Sequence, residues 1–317
     1  MLVLPGSLVS TSVGPLEVFR HAGVIWNLLT GAPERPAFRV TTAAAVPGPV
    51  ACDGVEVRPD TTIGTIRRTD LVLVPSTGLD FPSAVQRNAA LLPWLRAMHR
   101  RGAVLAGVCS GVELLAAAGL LDGRPATTHW GLVDRMRGAY PAVDWQPERM
   151  VTDADRVICG AGMYACLDLS LHLVERFCGR PTALQTAQAF LIENRATQTG
   201  FAPSGAAPAH GDHAVAAAER RLREHYAEPL RVEDLSARAG LSTRQFSRRF
   251  RGATGTTPLE YLHRERIRAA RGLLETADLP VQDVSLAVGY DDVAFFRRLF
   301  RRHTGSTPQD YRRRFGA

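Results

Sequence analysis

Lysine is absent from the 317 residues, so every one of the 38 basic side chains is an arginine. By itself that absence carries no functional weight. Cysteine is scarce: Cys52, Cys109, Cys159, Cys166 and Cys178 form an odd set without CxxC spacing, which argues against a disulfide framework or a zinc ribbon and suits a reducing compartment. No apolar run reaches the roughly 18 residues that span a bilayer. The N-terminus also lacks a basic segment followed by a long apolar stretch and a cleavage site. The expected location is the cytoplasm, with no membrane partner, and no metal or cofactor is expected.

A hydrophobic content of 45% over this length is enough for two domains with their own cores. The net charge of +7 is unevenly spread: residues 1–217 hold 18 Arg against 18 acids, and residues 218–317 hold 20 Arg against 13. The whole excess sits in the last third. Residues 196–214, rich in Gly, Pro, Ala and Ser, read as a linker between a domain at 1–195 and another at 215–317. Ahead of it, β-rich runs at 2–5, 38–43, 70–76, 103–109 and 156–160 alternate with helical stretches. That alternation predicts an α/β fold with a doubly wound, mainly parallel sheet. After the linker only amphipathic helical segments follow, which predicts an all-α domain.

The C-terminal third repeats itself. VEDLSARAGLSTRQFSRRFRGATGTTP (232–258) matches VQDVSLAVGYDDVAFFRRLFRRHTGSTP (281–308) at an offset of 49, becoming 50 after one inserted residue. Asp234 pairs with Asp283, Ser236 with Ser285, Gly240 with Gly289, Phe246 with Phe296 and Phe250 with Phe300. Each copy reads as a short helix, a glycine where a left-handed residue is cheap, and a second helix with apolar residues four apart: a helix-turn-helix. Ser242 and Gln245 form a capping box that starts the second helix at Thr243. Its outward face carries Thr243, Arg244, Ser247 and Arg248, and the arginines can donate paired bonds to guanine edges in a major groove. Ala294, Arg297 and Arg298 occupy the matching face of copy two. Thr257, Pro258 and Glu260 start a connecting helix that runs to about Leu274, roughly 26 Å at 1.5 Å per residue. Successive major grooves on one face of a duplex lie about 34 Å apart, so one chain can reach two neighbouring subsites. The region, including Gly255-Thr256-Thr257-Pro258 and Gly305-Ser306-Thr307-Pro308, resembles the AraC/XylS family of bacterial transcription regulators over about residues 214–316.

In AVLAGVCSGVELLAAAGLLDG (103–123) a buried strand runs straight into a helix, with Cys109 at the junction and Gly107 and Gly111 on either side. This is nucleophile-elbow geometry, and a helix N-terminus there is expected to lower the thiol pKa. Glu17 in GPLEVF and His129 in TTHW are the candidates to converge on the thiol. These stretches resemble the PfpI/ThiJ branch of the class I glutamine amidotransferase-like fold, flavodoxin-like in its layering, over about residues 1–190. The resemblance implies a pocket at Glu17, Cys109 and His129, and sheet domains that pair as dimers. Asp168, in the segment ICGAGMYACLDLS, is either structural or ligand-binding on this reading. Three departures stand out: Ser110 replaces the His that follows the nucleophile in protease-like members, Ser76-Thr77-Gly78 replaces a Gly-Gly, and the first strand is short.

Joined, the two halves imply a transcription regulator rather than an enzyme. Its partners would be operator DNA, a small-molecule effector, RNA polymerase and a second copy of the chain. The competing expectations are a cysteine-dependent hydrolase, hydratase or glyoxalase-like activity at Cys109, or redox sensing by the same thiol.

Overall fold

The computed structural model describes residues 1–193, 195, 198 and 212–316. They fall into two compact units, Met1–Thr199 and Gly200–Ala317. Most of the linker read at 196–214 lies outside the described residues. Its last three residues do not behave as linker: Asp212 caps a helix that begins at His213.

In the first unit, apolar runs become the sheet. Strand β1 (Leu71–Val74), β2 (Val104–Val108), β3 (Val151–Ala154) and β4 (Val157–Gly160) lie in the order β1-β2-β4-β3. The first three in that order are parallel, and β3 closes the edge antiparallel to β4. All five residues of β2 are buried, as expected of a central parallel strand covered on both faces. Helices α1 (Ser10–His21), α2 (Leu91–Arg100), α3 (Val112–Ala117), α4 (Ala165–Cys178) and α5 (Arg180–Phe190) surround it. Leu95, Met98, Leu115, Leu169 and Leu173 close one core over Leu73, Leu105 and Ile158.

The run at 2–5 pairs through Leu2, which donates to Leu73 at 2.9 Å and bridges Ala43 in parallel. The run at 38–43 departs from expectation, for only Ala43–Ala44 is strand, paired with Thr61–Thr62. A strand needs a partner along its length, and Phe38–Thr41 instead line a cavity of about 1200 Å³ together with Met1, Leu71, Trp94 and Phe177. This cavity is not at Cys109.

The second unit is helical: α6 (His213–Glu224), α7 (Val232–Arg238), α8 (Thr243–Thr254), α9 (Pro258–Thr276), α10 (Val281–Ala287), α11 (Val293–Thr304) and α12 (Pro308–Phe315). It has two small cores rather than one. Phe246 and Phe250 meet Val215, Leu222 and Leu235 in the first; Phe296 and Phe300 meet Val284, Val288 and Tyr311 in the second. Helix α9 serves both, giving Tyr261 and Leu262 to one and Ile267, Ala270 and Leu274 to the other. At 19 residues it is about 28 Å long, two residues beyond the expected end. Among the described residues no helix is long and apolar enough to cross a membrane.

Candidate functional site

The sequence repeat is a structural repeat. Helices α8 and α11 are each twelve residues long, begin on an oxygen side chain and stop on a left-handed glycine, Gly255 (φ 72°) and Gly305 (φ 78°). Ser242 and Gln245 form the expected capping box, while Asp292 caps α11 through the amides of Ala294 and Phe295 at 2.8 and 2.9 Å. The inner face of each helix is aromatic and buried. The outer face of α8 carries exposed Thr243, Arg244 and Arg248 with half-buried Ser247, and that of α11 carries exposed Ala294, Arg297 and Arg298. The first helices, α7 and α10, bury Ser236 and Ser285, whose hydroxyls bond Glu233 O and Tyr290 O at 2.9 Å each, and Ser236 also meets Thr243 Oγ1 on α8 at 3.2 Å.

Two arginines do structural work that the sequence pattern did not mark. Arg249 on α8 pairs with Asp212, whose other oxygen accepts the amides of Ala214 and Val215 at the start of α6. Arg266, nearly buried on α9, donates to the carbonyls of Tyr226 (2.7 Å), Glu228 (2.9 Å) and Gly289 (2.7 Å) and lies 4.9 Å from the centre of the Tyr290 ring. One guanidinium thereby satisfies carbonyls of the segment before the first copy and of the turn in the second. Gly289 is required there: its φ is 88°, and a Cβ would lie 2.6 Å from Ala227 O and 3.0 Å from the guanidinium.

In the first unit the elbow forms as its sequence suggests. Cys109 has φ 55°, a strained conformation for a residue other than glycine. The elbow packs on the end of β1 because Gly111 has no Cβ, which would otherwise sit 2.0 Å from Pro75 O. The chemistry differs from expectation. Cys109 is 5% exposed, and burial pushes its thiol up to about 11, with hydrogen bonds from Ser110 opposing but not overcoming the desolvation. The helix N-terminus does not win, because α3 is only six residues long and the sulfur has left water.

Around the elbow, hydroxyl groups take the backbone donors. Ser110 Oγ accepts from Thr77 N–H and bonds Ser76 Oγ, both at 2.9 Å. Gly78 N–H donates to Ser76 Oγ at 3.2 Å and Ser76 N–H to Thr11 Oγ1 at 3.1 Å. The amides of residues 76–78 are therefore occupied and do not form an oxyanion site.

Among the described residues no hydrogen bond joins the Cys109 sulfur to Glu17 or His129. Glu17 is exposed on α1, and its carboxylate makes no hydrogen bond or ion pair among the described residues. The apolar side of that helix, through Val18 and Phe19, faces the core instead. His129 is half-buried, lies on Trp130 with ring centres 4.8 Å apart, and accepts from Gly131 N–H through Nδ1 at 3.1 Å. Burial lowers its pKa, so near neutral pH the ring is uncharged, with its proton on Nε2. The loop holding it is joined to the elbow one residue earlier, by Thr128 Oγ1 donating to Cys109 O at 2.8 Å. Asp168 is structural in its contacts: it is buried and takes Arg195 through the amide at 2.7 Å and the guanidinium at 2.5 Å. Buried Glu113 pairs with half-buried Arg135 at 2.7 and 2.8 Å and braces α3. Among the described residues no cluster of His, Cys, Asp or Glu could hold a metal ion.

Comparison with known proteins agrees with both halves. Residues 13–176 match the DJ-1/PfpI family and residues 235–314 a helix-turn-helix domain. The HTH-type transcriptional regulator CdhR of Pseudomonas aeruginosa is 31% identical over 98% of this chain and 90% of its own length. The HTH-type transcriptional regulator GlxA of Rhizobium meliloti is 32% identical over 70% of this chain and 69% of its own. Among solved structures, a THiJ/PfpI family protein from Pseudomonas syringae superposes with a TM-score of 0.50 at 30% identity, over 62% of this chain and 74% of that one. The chain thus belongs to the AraC-type helix-turn-helix transcription regulators that carry a DJ-1/PfpI domain, and it is a DNA-binding regulator of transcription.

Proposed function

We propose that α8 and α11 read two neighbouring subsites of an operator, and that a small metabolite bound beside the Cys109 elbow biases that reading. The observation that carries the proposal is the pair of equal helices with buried aromatic faces and exposed outer faces. Arg244 and Arg248 lie on one of these faces and Arg297 and Arg298 on the other. Base readout belongs to Thr243, Arg244, Ser247 and Arg248, with Ala294, Arg297 and Arg298 as the second set; arginines farther along each helix position the phosphates. Substituting Arg244 and Arg248 together by alanine abolishes sequence-specific shifts in a mobility assay while weak, salt-sensitive binding persists. Unchanged specificity would refute the assignment.

The effector site is the region between the elbow and the His129 loop, at the carboxyl ends of the strands where α/β folds take ligands. A thiol that burial keeps protonated and that makes no hydrogen bond to His129 suits recognition of a ligand better than attack on one. Cys109→Ser therefore keeps the response to whichever metabolite raises the melting temperature of the wild type. Loss of a measurable turnover of small amides or aldehydes in that variant would instead support the enzyme reading, which the strained elbow favours. Redox sensing asks for a thiolate, which burial opposes. The protein acts in the cytoplasm as a pair of copies, for which exposed Leu28, Leu29, Leu184 and Leu191 offer an apolar surface on the first unit. At a promoter, RNA polymerase is its further partner. Sedimentation at micromolar concentration tests the pairing.

A further inference from the structure

Two side chains just beyond α5 hold the chain, one against the start of α4 and the other against the loop that carries His129. Arg195 bonds Asp168 and also Tyr164 O, at 2.8 Å. Gln198 is 3% exposed, and its amide is spent on that loop: Oε1 accepts from Trp130 N–H at 3.1 Å, and Nε2 donates to Thr128 O at 2.7 Å and Thr127 Oγ1 at 3.3 Å. Its own N–H reaches Glu148 O at 3.2 Å. The His129 ring packs on the segment just before α4, so close to Gly162 that a Cβ there would be 2.9 Å from its Cδ2. A buried glutamine with this many partners is costly to release, since each group set free inside the protein must be re-solvated or left unpaired.

We propose that Gln198 is a positioning residue that latches the end of the sensor unit to the Thr127–Trp130 loop, so that displacement of His129 changes the hold on the chain leading to the DNA-binding unit. The proposal rests on the effector-site reading for its biological trigger, though the coupling it describes does not need a ligand to be measured. Thr128 is the pivot, because its hydroxyl holds the elbow at Cys109 O while its carbonyl holds Gln198. A molecule that moves the imidazole acts on both bonds of one residue. Coupling of this kind requires only that the latched and released arrangements bind DNA with different affinity.

The test uses the full chain, a duplex recovered by selection from a random-sequence library, and Gly162→Ala as the probe that pushes His129 from within. In the wild-type background Gly162→Ala is expected to change duplex affinity by about fivefold or more and to speed hydrogen exchange of the Trp130 amide. In a Gln198→Ala background the same substitution is expected to change affinity by less than about twofold. Gln198→Glu keeps an acceptor for Trp130 N–H but sets a carboxylate against Thr128 O, and it uncouples like alanine. Thr128→Val cuts the loop from the elbow with little change in volume and serves as a second probe should Gly162→Ala melt early. Equal effects of both probes with and without Gln198, or no effect of either in the wild type, overturn the latch. A metabolite that stabilises wild type and Gln198→Ala alike, alongside such additive effects, overturns the latch and leaves the sensor reading intact. Non-additivity supports the latch whether or not any metabolite binds.

Discussion

At Cys109 two consequences of one fold oppose each other. The left-handed turn presents a side chain above the sheet, as a nucleophile requires, and the same close packing removes that side chain from water. Desolvation wins, holding the thiol near 11. At pH 8 only about a thousandth of such a thiol is ionised, against roughly a quarter of an unperturbed one. Iodoacetamide at pH 8 is therefore expected to modify Cys109 on the order of 100-fold more slowly in the native protein than after unfolding in urea, read by peptide mass spectrometry. Comparable rates would mean the elbow opens readily and would revive the catalytic reading. At this scale the sequence was a partial guide. The elbow was legible from Gly107, Cys109 and Gly111, because close strand–helix contact leaves a signature in residue size. Burial of the sulfur was not, because it depends on how Ser76, Thr77 and Ser110 share hydrogen bonds across 34 residues of chain.

Among the elements, α9 carries the argument. Its two ends belong to different cores, and Arg266 near its middle ties the end of α6 to the turn before α11. Replacing Arg266 by methionine keeps the stem's packing but strands three carbonyls, a loss of about 3 kcal/mol. All four tryptophans, at 26, 94, 130 and 145, lie in the first unit. Urea unfolding followed by far-ultraviolet dichroism should thus shift while the tryptophan transition stays in place; a shift in both would contradict a role confined to the second unit. The helices of this unit could be read directly, since caps, left-handed glycines and four-residue aromatic spacing are local. Arg266 could not, because nothing local separates a charge that bonds distant carbonyls from one that faces solvent. The strand expected at 38–43 fails for the complementary reason: the run is β-rich, but pairing is decided by a partner elsewhere in the chain.

For the molecule as a whole, buried titratable groups bound the pH range of stability. Burial lowers the pKa of His99, His129, His263 and His303. Their contribution is present above about pH 6.5, the unfolded value, and is lost as the pH falls through the depressed folded values. Burial raises Cys109 to about 11 and Cys159 and Cys166 to about 12. Their contribution is complete below about pH 8.5 and is lost as the pH climbs through those values. The buried amine of Met1, lowered to about 6, adds a contribution that is lost as the pH falls below about 8, so melting temperature is expected to peak near pH 8 and to fall on both sides. A maximum near the isoelectric point, about 9.6, would show that net charge governs instead. The equality of α8 and α11 has a consequence of another kind. Helices that start on the same sort of cap, bury aromatics at their fourth and eighth positions and end on the same glycine are interchangeable cassettes. Transplanting Arg244, Ser247 and Arg248 into positions 294, 297 and 298, and the reverse, leaves both cores untouched. On the proposed reading, the swapped chain recognises its two subsites in reverse order, so new operators are open to such a protein by rearrangement alone.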